Sequence, residues 1–390
     1  MQQKQRYHSL DSLRGLACLQ VVIGHCLVAL PALAWLVYPA TDKPVHDLKF
    51  YLAYSPVHFF WSATPAVIVF FVLSGFVLSL PYYSENSNTP GYLKYFIKRI
   101  LRLYLPCLAI ILLSVLFKHL LYNPAGVAGF STWINNIWSN PETVPEWINR
   151  LLLNGAVINI DPALWTLPIE IKLSLILPFF IYLLNKLPFL WDCAGAIMFT
   201  AVFYILSKLG LKYAVPEYNN LFYFTFFLWG TLSCKYRQQI SKRVNSLSNA
   251  SFVLLIVISL FIYTFNYSMW WLPHRLMNFL ERFHEYVSGI AAILFILIVL
   301  STRAHNLFNS KLLKYIGKIS FSLYLVHSVV IVSMAYLLHN YFNAYIIVSG
   351  AFLTSILISV VFYQYIEVPS LNFAQKVAIM VTSKKSKQTS

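Results

Sequence analysis

Residues 8–25 read HSLDSLRGLACLQVVIGH, a polar entry followed by an apolar run that ends at a histidine. On an α-helix, which turns about 100° per residue, Arg14 and His25 fall within roughly 40° of each other, and Asp11 lies roughly 60° from Arg14. The rise of about 1.5 Å per residue places His25 roughly 16 Å beyond Arg14, close to the middle of a membrane. Because an ionisable side chain is costly at that depth, this stretch predicts a membrane helix whose histidine has a function.

The composition extends this prediction to the whole chain. The 390 residues are 59% hydrophobic and only 11% charged, whereas soluble domains average about a quarter charged residues. Apolar runs of about 20 residues, the length of a membrane span, recur about ten times. They cover residues 10–36, 57–80, 103–122, 164–184, 189–209, 219–235, 251–268, 284–301, 319–339 and 344–367. We therefore predict an all-α polytopic membrane bundle of about ten transmembrane helices.

Two segments flank or interrupt this pattern. Residues 90–102 are predicted to form an amphipathic helix at the surface, ahead of the span at 103–122. The integral-membrane domain is predicted to cover residues 1–370, followed by a polar cytoplasmic tail over 371–390. Residues 382–390 are predicted to be disordered.

The net charge of +16 indicates how the protein is oriented in the membrane more than it indicates a binding partner. Lys and Arg residues lie at the ends of the apolar runs and form no continuous patch, so we exclude a nucleic-acid partner. They are concentrated in alternate connecting segments, which the positive-inside rule assigns to the cytoplasm. Both termini are therefore predicted to be cytoplasmic, and the lipid bilayer is the first predicted partner.

Two connections on the opposite side, residues 37–56 and 123–163, are longer than the joining of helices requires. Long loops are usually functional or disordered, and the second carries Trp133, Trp138 and Trp147, which is too aromatic for disorder. We expect a lid or a pair of interfacial helices there. Its indoles either stack on sugar rings or anchor the chain at the membrane interface.

Polar groups near the predicted cytoplasmic side allow two interpretations, an anionic-ligand site or a structural role. Asp11 and Arg14 form either a helix-capping pair or a clamp that orients a charged donor. Lys98, Arg99 and Arg102 span about one helical turn. They either grip phosphates, as arginine does with two parallel hydrogen bonds, or anchor the helix to anionic lipid.

Further polar groups lie inside the spans. Glu170 follows a proline, and since Lys172 points roughly 200° away on the helix, we expect its partner on another helix. Ser320, Tyr324 and His327 fall within about 60° on a helical wheel and form a stripe that lines a cavity or bonds to neighbouring helices.

Three other features are predicted to be structural. Glu367 closes the last span and is expected to cap or pack. Ser74 and Gly75 place small residues for close helix packing. The scattered histidines lack metal-ligand spacing, so no metal site is predicted.

In their order along the chain, these segments resemble the acyltransferase 3 family of integral-membrane O-acyltransferases. The matching pieces are LDSLRG at residues 10–15 with His25 after it, FVLSGF at 71–76, KRILR at 98–102, WTLPIE at 165–170, SFSLYLVH at 320–327 and EVP at 367–369. The chain departs from the family pattern at Lys98, where arginine is common, and at Thr166, where serine is common. It also departs at Pro168, which is added, and at Pro106, which lies one residue later than usual.

The resemblance implies a ten-helix bundle that moves an acyl group, usually acetyl from acetyl-CoA, to a hydroxyl of a cell-surface polysaccharide or lipopolysaccharide. It implies a bacterial inner membrane as the location. His25 is implied as the catalytic residue, with Asp11 or Glu170 orienting it.

The same resemblance implies where the two substrates bind. Arg14, Lys98, Arg99 and Arg102 are expected to hold the CoA phosphates. Ser320, Tyr324, His327 and Trp165 are expected to line the substrate path. Neither the acceptor, the position acylated, the acyl chain length nor the oligomeric state follows from these motifs. His25 can act either as a general base or as a covalent carrier of the acyl group.

Three other interpretations remain open from sequence. The acceptor can be a small hydrophobic molecule such as a macrolide. The protein can be a proton-coupled transporter in which Glu170, His25 and His327 relay protons, although the two halves show no inverted repeat. It can also be a non-catalytic sensor or scaffold, which nothing specifically supports. A requirement for CoA separates the enzyme from the last two.

Overall fold

The computed structural model describes residues 8–38, 48–83, 91–210 and 218–388, which are mostly helical and contain no strand. The helices before residue 210 are α1 (His8–Val28), α2 (Pro31–Val37), α3 (Leu48–Ala53), α4 (Ala63–Ser79), α5 (Tyr92–Leu121), α6 (Thr132–Asn136), α7 (Val144–Leu151), α8 (Thr166–Leu184) and α9 (Phe189–Lys208). The later ones are α10 (Tyr218–Lys235), α11 (Arg237–Asn245), α12 (Asn249–Tyr263), α13 (Phe265–Ser268), α14 (His274–Glu281), α15 (His284–Leu300), α16 (His305–Phe308), α17 (Lys311–Leu338), α18 (Ala344–Phe362) and α19 (Val368–Gln388).

The predicted spans correspond to helices throughout. Within the described ranges, seven segments are long and apolar enough to cross a membrane, and there are eight if α14 and α15, bent by 61° at their junction, form one span. The two remaining predicted spans coincide with α10, which has 18 residues, and α12, which has 15. The all-α polytopic bundle is therefore confirmed.

Two predicted boundaries were wrong. The surface helix at 90–102 and the span at 103–122 form one continuous helix, α5, because its first turns bury Arg99 against the bundle. The predicted first span at 10–36 is divided instead. Pro31, which has no N–H to donate, begins α2 three residues after the end of α1 at Val28.

The predicted polar tail continues the last span as a helix. The chain passes from α18 through a π-helical turn, Tyr363–Glu367, into α19. Pro369 lies beside this turn, where its missing N–H interrupts the regular helical hydrogen bonding. Ala374 and Ala378, one turn apart and fully buried, pack α19 on α5. The helix continues as far as Gln388, so the predicted disorder is wrong up to that residue; residues 389–390 lie outside the described ranges.

The helices α1 and α17 cross in close contact at a pair of glycines. A Cβ atom on Gly15 would lie 2.7 Å from the backbone nitrogen of Gly317, and one on Gly317 would overlap the carbonyl oxygen of Asp11. No other residue fits there without moving the backbone. This crossing sets the relative position of everything that α1 and α17 carry.

A second glycine crossing joins α4 to α10. Cβ atoms on Gly75 and Gly230 would overlap the carbonyl oxygens of Phe227 and Val72, respectively. The close helix packing predicted for Gly75 is therefore confirmed. Together the two crossings place α1, α4, α10 and α17 at the centre of the bundle.

The long connection at 123–163 folds back onto the bundle as two short helices, α6 and α7, as predicted. Trp138 is fully buried, and its indole N–H donates to the Ser114 hydroxyl at 3.2 Å and to the Ile160 carbonyl at 3.1 Å. Trp138 is thus a structural tether of this loop. The other long connection, 37–56, falls partly outside the described residues.

An acidic residue ties the same loop to the end of α5. Glu142 forms ion pairs with Lys118, at 2.5 Å, and with the completely buried Arg150. Burial alone would raise the pKa of Glu142. Hydrogen bonds from Arg150 and Lys118 outweigh it and hold that pKa below its ordinary value.

His58 makes this outer side sensitive to acid. The residue is completely buried in a 3-10 helix, Pro56–Trp61, with its Nδ1–H donating to the Ala53 carbonyl at 3.0 Å and its ring stacked on Tyr267. Burial lowers the pKa of His58 from 6.5 to about 4, against a smaller opposing effect of that hydrogen bond. Between these values the unfolded chain binds more protons than the folded one, so stability falls as the pH falls.

We expect the free energy of unfolding to decrease by about 2 kcal/mol between pH 7 and pH 5 through this residue. The variant His58→Phe, which keeps a ring beside Tyr267, should lose that part of the pH dependence. The matched variant His305→Phe, at an exposed position, should keep it. Thermal unfolding of the three proteins at both pH values measures the difference; equal pH dependence in all three would contradict the assignment.

Candidate active site

Three arginines converge on a cavity between α1, α4, α5, α8 and α17. The space between these helices is about 1020 Å³, open solvent at its mouth included. Its polar lining includes Arg14, Arg99 and Arg102 together with Asp11 and Glu170. It lies on the side of the bundle where α1, α5 and α17 begin, which the sequence predicts to be cytoplasmic.

The guanidinium groups of this cavity differ in their direct partners. Arg14 donates to Asp11 at 2.6 Å, and Arg99 donates to Glu170 at 2.6 Å. Arg102 makes no hydrogen bond or ion pair with a described residue, although Glu367, outside the lining, is close enough to interact with it electrostatically. A guanidinium group without a direct partner suits an anionic ligand.

Glu170 has its partner on another helix, as predicted. Besides Arg99 from α5, its carboxylate accepts a hydrogen bond from the Ser74 hydroxyl of α4 at 3.2 Å. Two other predicted site residues lie outside the cavity lining. Lys98 is exposed, and Trp165 is partly buried with its ring 5.6 Å from that of Tyr223.

Tyr324 forms the inner end of the cavity. Ser320 and Tyr324 both line it, while His327, the third member of the predicted stripe, lies one turn further along α17. The Tyr324 hydroxyl lies 3.0 Å from that of Thr166, and its ring centroid lies 5.9 Å from that of His327. Tyr324 thus separates the arginines from the histidine level of the bundle.

His25 and His327 face each other beyond this tyrosine. Nδ1 of His25 lies 2.8 Å from Nε2 of His327, and the two rings are stacked with centroids 5.0 Å apart. His327 is completely buried, whereas His25 is partly exposed. His327 is therefore held in place by its surroundings, and His25 can be reached by a ligand.

The hydrogen bonds of His327 define the tautomers of both rings. Its Nδ1 lies 3.1 Å from the Leu323 carbonyl, which can only accept, so Nδ1 carries the proton and Nε2 a lone pair. His25 must then donate from Nδ1 to that lone pair. Its own Nε2 remains unprotonated in the neutral pair and is free to accept a proton.

Trp133 of α6 covers the outer side of His25. The two ring centroids are 5.1 Å apart, and the indole is partly exposed. The backbone N–H of Ser131 donates to the Ala29 carbonyl at 3.0 Å and ties the start of α6 to the end of α1. Of the three loop tryptophans, Trp133 is the one that contacts a predicted site residue.

Comparison with known proteins identifies the family of this chain. A family model described as an acyltransferase domain, that of acyltransferase 3, matches residues 7–364, nearly the whole chain. The chain belongs to the acyltransferase 3 family. No curated protein and no solved structure matches it significantly. The resemblance seen in the motifs is therefore confirmed, and the protein is an integral-membrane acyltransferase.

In this acyltransferase, the two predicted orienting carboxylates are not beside the predicted catalytic histidine. Asp11 and Glu170 both pair with arginines in the cavity. Arg14, the partner of Asp11, lies about 16 Å from His25 along α1. The partner of His25 is His327, which the sequence analysis had grouped with the substrate-lining residues.

A sequence signal for the histidine pair was present but was not recognised. His25 follows Gly15 by ten residues, and His327 follows Gly317 by ten residues. Two parallel helices that cross at those glycines carry the histidines to the same level. Among the described residues of the acyltransferase, no three His, Cys, Asp or Glu side chains are grouped to hold a metal ion.

Proposed function

We propose that this acyltransferase moves an acetyl group from acetyl-CoA to a hydroxyl of a cell-surface glycan, in a bacterial inner membrane, with His25 as the general base. One observation carries the proposal: the arginine cavity and the histidine pair lie one behind the other along α1 and α17, with Tyr324 between them. The arginine cavity would hold acetyl-CoA by its phosphates on one side of Tyr324. The acceptor would reach the base, His25, from the other side.

The donor side of the proposal rests on charge. CoA carries several phosphate groups, and arginine binds phosphate oxygens with two parallel hydrogen bonds. Arg14 and Arg99 are held in place by Asp11 and Glu170, while Arg102 has no direct partner among the described residues. In this proposal the two carboxylates orient the arginines, and Arg102 is the principal phosphate ligand.

The chemical step follows from the tautomers. Nε2 of His25 accepts the proton of the acceptor hydroxyl as its oxygen attacks the thioester carbonyl carbon. The carbon–sulfur bond then breaks, and the CoA thiolate takes the proton from Nε2. The products are an acetyl ester and CoA, and His25 returns to its starting state.

The acceptor side rests on Trp133. Its partly exposed indole lies against His25, on the side opposite to the arginines. An aromatic face beside the base suits the apolar face of a sugar ring whose hydroxyl points at Nε2. This supports a glycan acceptor approaching from the outer side.

The test is release of labelled acetyl from acetyl-CoA by purified protein in detergent, comparing wild type with Arg102→Ala. Because a charged hydrogen bond contributes about 1.5–3 kcal/mol, we expect the variant to raise the KM for acetyl-CoA about 10–100-fold. Acetyl-pantetheine, which has no phosphate, should be used equally well by both proteins.

The matched control is Lys94→Ala, which removes an exposed cation from the same helix and should leave both KM values unchanged. An equal loss with acetyl-pantetheine would show that Arg102 does not bind phosphate. Absence of both CoA binding and acetyl release in wild type would reject the proposed donor and favour a transporter or scaffold.

A further inference from the structure

Asp161 is a completely buried carboxylate without a cation. It lies at the end of the outer loop, just before α8, and is 0% exposed. No Lys, Arg or His side chain among the described residues forms an ion pair with it. Burial raises the pKa of Asp161 to about 7, so this carboxyl group can be neutral at rest and can ionise when a positive charge forms near it.

Helix capping accounts for only half of this side chain. One oxygen, Oδ1, accepts the backbone N–H of Ala163 at 3.0 Å and caps a 3-10 helix, Pro162–Trp165. The other oxygen, Oδ2, is buried without a hydrogen bond. An asparagine would cap the helix equally well without the charge, so the cap does not explain the second oxygen.

Ser328 connects Asp161 to the histidine pair. The Ser328 hydroxyl faces Asp161 and lies 3.3 Å from Nε2 of His327. Ser328 and His327 are both completely buried, and His327 is the residue that bonds to His25. Asp161, Ser328, His327 and His25 therefore form a continuous series of polar groups.

The other ionisable neighbours of Asp161 are Cys107 from α5 and Tyr324 from α17. Neither a thiol nor a phenol ever carries positive charge. The imidazole of His327 is thus the group in this cluster that can become a cation facing the carboxylate.

We propose that Asp161 is a positioning residue that stabilises the positive charge formed on His327 during acyl transfer. The inference rests on the proposed function. When Nε2 of His25 accepts the hydroxyl proton, the proton on Nδ1 of His25 passes to Nε2 of His327. His25 is then neutral, and His327 carries protons on both nitrogens, with its charge directed through Ser328 to Asp161. When the CoA thiolate takes the proton from Nε2 of His25, the proton on Nε2 of His327 returns to Nδ1 of His25.

The first test is Asp161→Asn in the full-length protein, measured by acetyl release. The cap on Ala163 is kept and the charge is lost, so we expect kcat to fall at least about 10-fold while the KM for acetyl-CoA stays unchanged. Thermal stability should be equal or higher, because an unpaired buried charge has been removed. Ser328→Ala should give a similar loss of kcat.

A second readout does not depend on activity. Diethylpyrocarbonate acylates the unprotonated nitrogen of an imidazole, and mass spectrometry of the His25 peptide gives the rate of this modification at pH 7. A carboxylate near the histidine pair stabilises the positive charge that forms as Nε2 is acylated, so Asp161→Asn should slow the modification about 10-fold. Glu281→Gln removes an exposed carboxylate and should change neither kcat nor the modification rate.

The outcomes separate the two proposals. Wild-type protein without acetyl release would overturn the proposed function, while the rate of His25 modification would still report whether Asp161 acts on the histidine pair. An Asp161→Asn variant with wild-type kcat and a wild-type modification rate would show that Asp161 is only a helix cap. Asp161→Ala, which loses the cap as well, should be less stable than Asp161→Asn by about 1 kcal/mol if the cap forms as described.

Discussion

The variant His25→Ala is expected to release labelled acetyl from acetyl-CoA about 10²–10⁴-fold more slowly than wild type, the range for loss of a general base. The KM for acetyl-CoA should change little, because the arginines lie about 16 Å from this residue along α1. The loss should appear in kcat for transfer to an acceptor and for slow hydrolysis alike. Initial rates at saturating acetyl-CoA measure it.

The partner histidine provides a graded version of the same experiment. His327→Ala removes the lone pair that receives Nδ1–H of His25, so the ring of His25 loses its tautomer and its orientation but keeps its nitrogens. We expect a smaller loss of kcat than for His25→Ala. His119→Ala, at an exposed position of α5, is the matched control and should keep the wild-type rate. A His25→Ala protein with the wild-type rate would remove His25 from the mechanism.

The variant Gly317→Ala is expected to have the largest effect on stability. Its Cβ would overlap the carbonyl oxygen of Asp11, a backbone atom that cannot turn aside, so α1 and α17 must separate. Overpacking of this kind costs about 1–3 kcal/mol and sometimes more. The same separation would lengthen the bond between His25 and His327, so the folded fraction should also be inactive.

Size-exclusion chromatography and thermal unfolding in detergent measure the loss of stability. Acetyl release per folded molecule measures the loss of activity. Gly195→Ala is the matched control, because a Cβ at that helical position meets open space. It should be stabilising by about 0.5–1 kcal/mol. A Gly317→Ala protein with unchanged melting temperature and activity would show that the crossing tolerates a wider spacing.

The sequence predicted the parts of the site that depend on helical spacing and polarity. Ser320 and Tyr324 share one face of α17 because they are one turn apart, and both line the cavity. The Asp11–Arg14 pair follows from the same spacing and is present at 2.6 Å. The partner of Glu170 was correctly expected on another helix, but its identity as Arg99 depends on how α5 packs on α8.

Other expectations failed where burial overrode composition. The polar end of the chain was predicted to be disordered, yet Ala374 and Ala378 bury α19 on α5. Trp133 and Trp138 are alike in sequence, yet one lies beside His25 and the other is a fully buried tether. Their surroundings come from distant segments, which local patterns do not describe.

The sequence by itself determined the all-α membrane class, the approximate spans and the family. These depend on hydropathy, helical period and motif order, all of which can be read along one chain. The tertiary structure alone decided that His25 bonds to His327, 302 residues away, and that Asp161 lies buried behind them. The physical reason is the close crossing of α1 and α17 at Gly15 and Gly317, because only direct backbone contact brings those two side chains to the same level.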